Sequence, residues 1–359
     1  MSDTTGSWDA VLLYPCTRTA VGLTVLAGYL LIAQCLRFRR VQGFKTVDIE
    51  KDPSSVYRKM IHLEFPFMGN KALEFALFRT YGVPSISRIL QKTKQFKKCA
   101  GKRYDDTDIL LREYSENKPG SHRAKSAIAR LNAIHQLYAK DIRNTDMLYT
   151  LALFITEPIT WIDRFEWRRT TRIEKECVFA HYKAMGDCMG IRGVDDWKTW
   201  NDAFSYQTAY EAKHSTYAES NEEVSASTLD LFLTNIPRGL QFLRPIGRLA
   251  ICALIDKPLL TALGLPECPC VLKWFVQSSL LIRAMAIRFL FLPRPAFLEP
   301  RRTPYSADND GLSCPVASCL DGFVAASDPI SGGAENILRK PRFHQFTETK
   351  LGCLSYTKG

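Results

Sequence analysis

The chain has 359 residues, of which 46 % are hydrophobic and 24 % charged, as is typical of a globular protein with a hydrophobic core. Its formal net charge is +11, from 48 Lys and Arg residues against 37 Asp and Glu residues. The sequence lacks zinc-finger spacing, a basic-aromatic stacking motif and a helix-turn-helix signature, which argues against nucleic acid as a partner. The anionic cytoplasmic face of a membrane accounts better for the basic excess.

An apolar segment near the N-terminus is the first predicted element. Residues 19–36 contain no charged side chain, and as a helix they are about 27 Å long, close to the thickness of a thin bilayer. A basic cluster follows at Arg37, Arg39 and Arg40. This order predicts an uncleaved, single-pass signal anchor, with residues 1–18 in the lumen and the rest of the chain in the cytosol. Because the run is short for a spanning helix, a buried core helix is the alternative.

The remaining chain is expected to form one all-α domain. Residues 37–55 form a linker, residues 56–298 a helical domain without predicted strands or repeats, and residues 299–359 a largely disordered tail rich in Gly, Ser, Pro and Asp. Eleven cysteines are scattered through the sequence, and in the reducing cytosol most of them are expected to be free thiols.

Two apolar segments of the domain carry residues that restrict their interpretation. Residues 147–155 predict a short helix that ends near Pro158, because proline cannot continue the helical hydrogen bonds. Residues 271–292 are hydrophobic but include Arg283 and Arg288, which are costly at the centre of a bilayer. A domain helix, or a helix lying on the membrane surface, is therefore expected there.

Two helices are predicted to place a histidine on their buried face. Residues 121–140 show apolar side chains at helical spacing, with Ser121 as the N-cap and His135 on the apolar stripe. Residues 170–189 repeat this pattern, with His181 on the stripe. Inward-facing imidazoles are suitable axial ligands for haem, although a histidine on such a stripe is also commonly a hydrogen-bonded core residue.

The sequence contains no glycine-rich nucleotide motif, P-loop, H-E-x-x-H or G-x-S-x-G motif. What remains is a set of ionic groups on otherwise apolar helices, namely Arg130, Glu157 and Asp163 together with His135 and His181. A buried charge must be paired or must serve a bound group. These residues are therefore either structural polar groups or the lining of a cofactor site, in which an arginine holds a haem propionate or polarises oxygen.

Six segments in the same order resemble the fungal membrane-bound oxygenases typified by the mycophenolic acid pathway enzyme, which share a catalytic domain with the bacterial rubber oxygenases. The resemblance extends over residues 56–295. The segments that carry it are residues 80–90, 102–107, 127–138, 147–151, 161–168 and 185–191.

This resemblance implies an endoplasmic-reticulum enzyme that uses dioxygen to oxidise isoprenoid chains and cleave their double bonds. It also implies haem b with an axial histidine, and an arginine and an acid near the oxygen-binding side. Arg130 corresponds to that arginine, and Glu157 and Asp163 are the candidate acids. Asp163 stands where we align the axial histidine of the rubber oxygenases, so the ligand here would be His135 or His181.

The leading hypothesis is an oxygenase of fungal secondary metabolism that acts on an apolar terpenoid or meroterpenoid small molecule, alongside other enzymes of its pathway. A rival from another class is a non-catalytic, membrane-anchored protein that binds a lipid or a partner. In a third interpretation, two histidines and a carboxylate, Glu157 or Asp163, hold non-haem iron as a facial triad.

Overall fold

The computed structural model describes residues 8–44, 47, 49 and 51–298. Throughout these residues every regular element is a helix, which confirms the predicted all-α fold. The tail predicted to be disordered, residues 299–359, lies outside the described residues.

Thirteen α-helices occur in the described residues, with a π-helix at Lys59–Glu64 and short 3₁₀ turns between some of them. In chain order the α-helices are α1 Trp8–Phe44, α2 Pro53–Arg58, α3 Pro66–Thr80, α4 Pro84–Lys92, α5 Gln95–Glu116, α6 His122–Gln136, α7 Asn144–Phe165, α8 Arg172–Cys188, α9 Trp200–His214, α10 Glu219–Phe232, α11 Arg244–Cys252, α12 Lys257–Ala262 and α13 Cys270–Leu290.

The described chain divides into two compact units. The smaller unit is Asp105–Ala139, which comprises the second half of α5 and α6. Its apolar contact joins Leu110 to Ala127. The predicted N-cap of α6 is confirmed, since the Ser121 hydroxyl accepts a hydrogen bond from the Ala124 amide. The helix ends at Gln136, a few residues before the predicted end.

The larger unit contains the rest of the described chain and is built around α7, against which α3, α8 and α9 pack. The prediction that this helix ends near Pro158 is wrong, because α7 continues to Phe165 with Pro158 inside it. Proline in a helix interior costs about 3 kcal/mol. Burial of the neighbouring side chains offsets that cost, since Leu153, Ile155 and Ile159 are at most 1 % exposed.

Helix α1 is a candidate membrane anchor. Its segment Thr19–Phe44 is long and apolar enough to cross a bilayer, and α13 passes the same test. The alternative of a buried core helix is wrong, because Leu23, Val25 and Leu31 are each 67 % exposed. The helix does not stop at the predicted end of the span; it continues through the basic cluster to Phe44.

Candidate functional site

The π-helix Lys59–Glu64 is the least regular element of the larger unit. It closes with a hydrogen bond from the Phe65 amide to the Met60 carbonyl, 2.9 Å long and five residues apart. Such turns are rare and occur frequently at functional sites. This one carries a buried histidine, His62, which the sequence analysis did not single out.

His181 lies in the interior of the same unit, as the helical pattern of α8 predicted. Its side chain is fully buried, as is that of Cys177 one turn earlier. The Tyr57 ring stacks on the imidazole at 4.0 Å between centroids, and the Tyr182 ring meets it edge-on at 5.1 Å. The imidazole is therefore enclosed by aromatic faces supplied by α2 and α8.

Two hydrogen bonds fix this arrangement. The Oγ atom of Ser54 lies 2.9 Å from Nδ1 of His181, and the hydroxyls of Tyr57 and Tyr182 lie 2.7 Å apart. We call Ser54, Tyr57, His62, His181 and Tyr182 the His181 cluster. Its tyrosines and serine come from α2 and α8, which pack against each other. The cluster holds the His181 ring in one orientation.

The electrostatic environment keeps His181 neutral. Burial, with smaller contributions from the nearby His62 and Arg58, lowers its pKa to about 3. A metal-ligating histidine must be neutral, and its second ring nitrogen is usually held by a polar partner. His181 thus has the protonation state that an iron-binding nitrogen requires, and Ser54 is the polar partner of its second ring nitrogen.

Glu157 belongs to a different ionic group, which we call the Arg79 cluster. The Arg79 guanidinium lies 2.6 Å from Glu211, 2.6 Å from Asp256 and 3.8 Å from Glu157. Glu157 also accepts a hydrogen bond from the Trp161 indole at 2.8 Å. Burial raises the pKa of Glu157, and the charge of Arg79, which lies nearer to the other two carboxylates, opposes this shift without cancelling it.

The Arg79 cluster joins distant parts of the larger unit. Arg79 lies on α3, Glu157 on α7 and Glu211 on α9, and Asp256 is the N-cap of α12. Arg79 and Glu211 are 132 positions apart in the chain, and neither was a predicted site residue. A local sequence pattern therefore could not predict that these residues come together.

Asp163 stabilises the connection between α7 and α8. Its Oδ1 atom accepts hydrogen bonds from the amide and the hydroxyl of Thr170, both 2.6 Å long, and its Oδ2 atom lies 2.9 Å from Lys175. Both carboxylate oxygens thus have partners that hold the turn leading into α8, the helix that carries His181.

Arg130 and His135 lie in the smaller unit, on α6. Burial lowers the pKa of Arg130, and the charge of Asp106 opposes this shift. His135 lies in the last turn of α6 and is only half-buried, so the prediction that it shares a buried stripe is wrong. The second half of α6 is less enclosed than the first, since Leu131 on the same stripe is also half-buried whereas Ala127 and Ile128 are buried.

The predicted facial triad is not assembled. Within the described part of the chain, no three His, Cys, Asp or Glu side chains converge closely enough to hold a metal ion. The seven cysteines whose side chains the structure describes are free thiols, as predicted. A small cleft of about 20 Å³ between α4 and α10 has no histidine in its lining, so it is not a site for these groups.

The helical fold and the candidate membrane anchor agree with the comparisons with known proteins. Residues 111–287 match the family described as ER-bound oxygenase mpaB/B'/Rubber oxygenase, catalytic domain. The chain is 34 % identical over 311 residues to the ER-bound oxygenase mpaB' of Penicillium brevicompactum, covering 79 % of this chain and 73 % of that protein.

Two further relatives agree. Identity is 36 % over 253 residues with the ER-bound oxygenase mpaB of Penicillium roqueforti, covering 62 % of this chain and 84 % of the relative. It is 31 % over 311 residues with mpaB of Penicillium brevicompactum, covering 79 % and 72 %. The chain therefore belongs to this family of oxygenases, which confirms the resemblance found in the sequence.

Proposed function

We propose that this chain is a haem-dependent oxygenase of fungal secondary metabolism that oxidises an apolar terpenoid or meroterpenoid and cleaves a carbon-carbon double bond in it. Membership of the oxygenase family supports the reaction class. The proposal of haem as the cofactor depends on His181, which is buried, neutral and held at Nδ1 by Ser54. Haem b, when bound, would supply the binding and activation of dioxygen.

The residues of this chain would have separate roles in that reaction. His181 would ligate the iron through Nε2, while Ser54 and the stacked Tyr57 ring keep the imidazole from rotating. Arg130 belongs to the smaller unit, and its proposed role, stabilising negative charge that develops during the reaction, rests on its correspondence in sequence to the arginine of the rubber oxygenases. Glu157 and Asp163 would support the fold around α7 and α8 through the contacts described above.

Membrane attachment supports an apolar substrate. A prenyl chain partitions into a bilayer by about 0.8 kcal/mol for each buried methylene, so an enzyme held at that surface meets its substrate there. The relatives are named ER-bound, and the basic cluster after residue 36 favours a single pass with the larger unit in the cytosol.

Spectroscopy of purified full-length variants tests the cofactor. His181→Ala should abolish the Soret absorbance, because a methyl group cannot replace a nitrogen that binds the iron. His135→Ala and the exposed control His122→Ala should leave it nearly unchanged. Arg130→Ala should retain most of the haem and lose product formation.

Three results would contradict this assignment. Loss of the Soret band in His135→Ala alone would move the ligand to α6. Iron without a Soret band in the wild type would favour a non-haem centre. Absence of both haem and iron would make the histidines structural. The substrate is identified separately, by profiling pathway metabolites after gene deletion, since the accumulating precursor defines the reaction.

A C-terminal tag in sealed microsomes tests the topology. Protease should remove a tag placed after Gly359, because the basic cluster should hold that side in the cytosol. Protection of the tag would reverse the orientation.

A further inference from the structure

Helix α13 has one face that packs on the larger unit. Ala284 is buried, and the Gln277 amide donates to the Ala253 carbonyl at 3.3 Å. Both terminal guanidinium nitrogens of Arg283 lie 3.1 Å from Oε1 of Glu166, whose side chain is only 1 % exposed. The charge that argued against a membrane span is thus paired with a buried carboxylate of the unit.

The opposite face of α13 is apolar and exposed. Its large side chains recur at intervals of three, four and seven residues, which places them on one stripe of the helix. The exposed fractions run from 80 % at Val271 to 44 % at Phe289. A contiguous apolar stripe of this kind marks an interaction surface. Its members are Val271, Trp274, Phe275, Ile282, Met285 and Phe289.

The C-terminal end of α13 is bound to α1. The last carbonyls of a helix have no partner within it, and side chains of α1 donate to them here. The Tyr29 hydroxyl lies 2.7 Å from the Leu290 carbonyl, and the Gln34 amide 2.8 Å from that of Arg288. The Arg37 guanidinium lies 2.6 Å from the Ile287 carbonyl and also donates to that of Phe291.

These contacts set the level of α13 relative to a bilayer. If residues 19–36 cross the membrane, Arg37 lies at its cytosolic edge and Tyr29 lies about 12 Å deeper along α1. The end of α13, which contacts both residues, therefore lies within the cytosolic leaflet. The segment from Cys268 to Leu298 contains four basic and no acidic residues, so its charge suits an anionic lipid surface. Continuity with the anchor and this charge both favour lipid as the occupant of the apolar stripe.

We propose that α13 lies flat in the cytosolic leaflet beside α1, as a second membrane contact that does not span the bilayer. Spanning would withdraw Arg283 from Glu166 and leave a buried carboxylate without its partner. An interfacial helix instead keeps one face on the protein and the other in lipid. Together, α1 and α13 would fix the tilt of the larger unit on the membrane. This inference rests on the anchoring that forms part of the proposed function.

Depth-dependent quenching with the full-length protein in phosphatidylcholine–phosphatidylserine vesicles tests this arrangement. A fluorescent amino acid is placed singly at Phe275, Ile282 or Phe289, at Leu26 of α1 as the deep control, and at the exposed Phe204 of α9 as the aqueous control. Quenchers are carried either near the lipid headgroup or at the middle of the acyl chain. The three α13 positions should be quenched equally, several-fold more by the shallow quencher than by the deep one.

The other outcomes identify which statement fails. A steady change of depth from Phe275 to Phe289 would overturn the flat arrangement in favour of a span. Quenching at Leu26 but none on α13 would overturn the inference alone and assign the stripe to a protein or a second copy. Lack of quenching at Leu26 would overturn the anchor, and the inference with it. Quenching at Phe204 equal to that at the three α13 positions would overturn the inference, because contact with lipid would then not be specific to α13.

Discussion

The Nη1 atom of Arg40 lies 2.6 Å from Oε1 of Glu64, and this ion pair joins the end of α1 to the last residue of the π-helix. The Glu64 side chain is only 2 % exposed, and its second cationic partner, Arg168, is more distant at 3.6 Å. Helix α1 is therefore attached to the same short element that carries His62. It is a part of the folded unit as well as a candidate anchor.

Replacement of Arg40 should destabilise the protein. Arg40→Gln leaves Glu64 buried beside a single distant arginine, and burial already raises the pKa of that carboxyl. Since Arg40 is partly exposed, we expect a loss of about 2–3 kcal/mol in the free energy of unfolding, below the usual value for breaking a fully buried pair. Arg39→Gln removes the same charge from an exposed position and should have almost no effect in detergent-solubilised protein. Equal losses for both variants would contradict the ion pair.

Protonation of His181 should limit stability in acid. Its pKa in the folded protein, about 3, lies below the ordinary value of 6.5. The unfolded chain therefore takes up the proton first, and stability present above pH 6.5 is lost as the pH falls towards 3, by up to about 5 kcal/mol. Denaturant unfolding of haem-free protein between pH 7 and 4 should show a weaker dependence of stability on pH in His181→Gln than in the wild type or in the exposed control His122→Gln. Parallel curves for all three proteins would show that His181 does not carry the effect.

The contribution of Glu157 to stability should change with pH in the opposite direction to that of His181. Burial raises its pKa in the folded state, so the stabilising contribution is complete below the ordinary pKa and is lost as the pH rises through the raised value. Glu157→Gln keeps an oxygen acceptor for the Trp161 indole and should reduce this loss between pH 4.5 and neutrality. Glu211→Gln is the matched comparison on the same arginine, and it should destabilise because Glu211 forms the closer pair with Arg79. A larger loss for Glu157→Gln would reverse this order.

Thiol labelling should distinguish two cysteines of α8. Cys177 is fully buried, and burial raises its pKa to about 12, whereas Cys188 is exposed. The thiolate is the reactive form, so iodoacetamide at pH 8 should modify Cys188 and spare Cys177 in the folded protein. Peptide mass spectrometry measures both in one sample, and denaturation should make them equal. Rapid labelling of Cys177 under native conditions would show that the α2 and α8 contact opens.

The local sequence pattern was sufficient to predict helix α8 and the burial of its histidine, His181. The spacing predicted a helix over residues 170–189, and the structure has it at Arg172–Cys188 with His181 fully buried. The same approach failed at Pro158, where a local rule on proline was outweighed by packing on several sides of α7. Packing of that kind depends on segments that are distant in sequence.

The residues that contact the site residues could not be predicted from local sequence for the same reason, because they are distant in the chain. Ser54 is 127 positions from His181, and Arg79 is 132 positions from Glu211. His62 stands in a short apolar run whose π-helical winding has no sequence signature at this length. The sequence therefore indicated which helix faces are buried, and the structure was needed to show which charges they bring together.

The winding of Lys59–Glu64 makes the number of residues in this segment as important as their identity. A π-helical turn accommodates one residue more than an α-helical turn does. If the π-helical turn were kept, adding or removing a residue before His62 would turn its side chain by about 100° about the helix axis. His62 would then leave its buried position in the core. Evolution of this enzyme should therefore tolerate substitutions in the segment more readily than insertions or deletions.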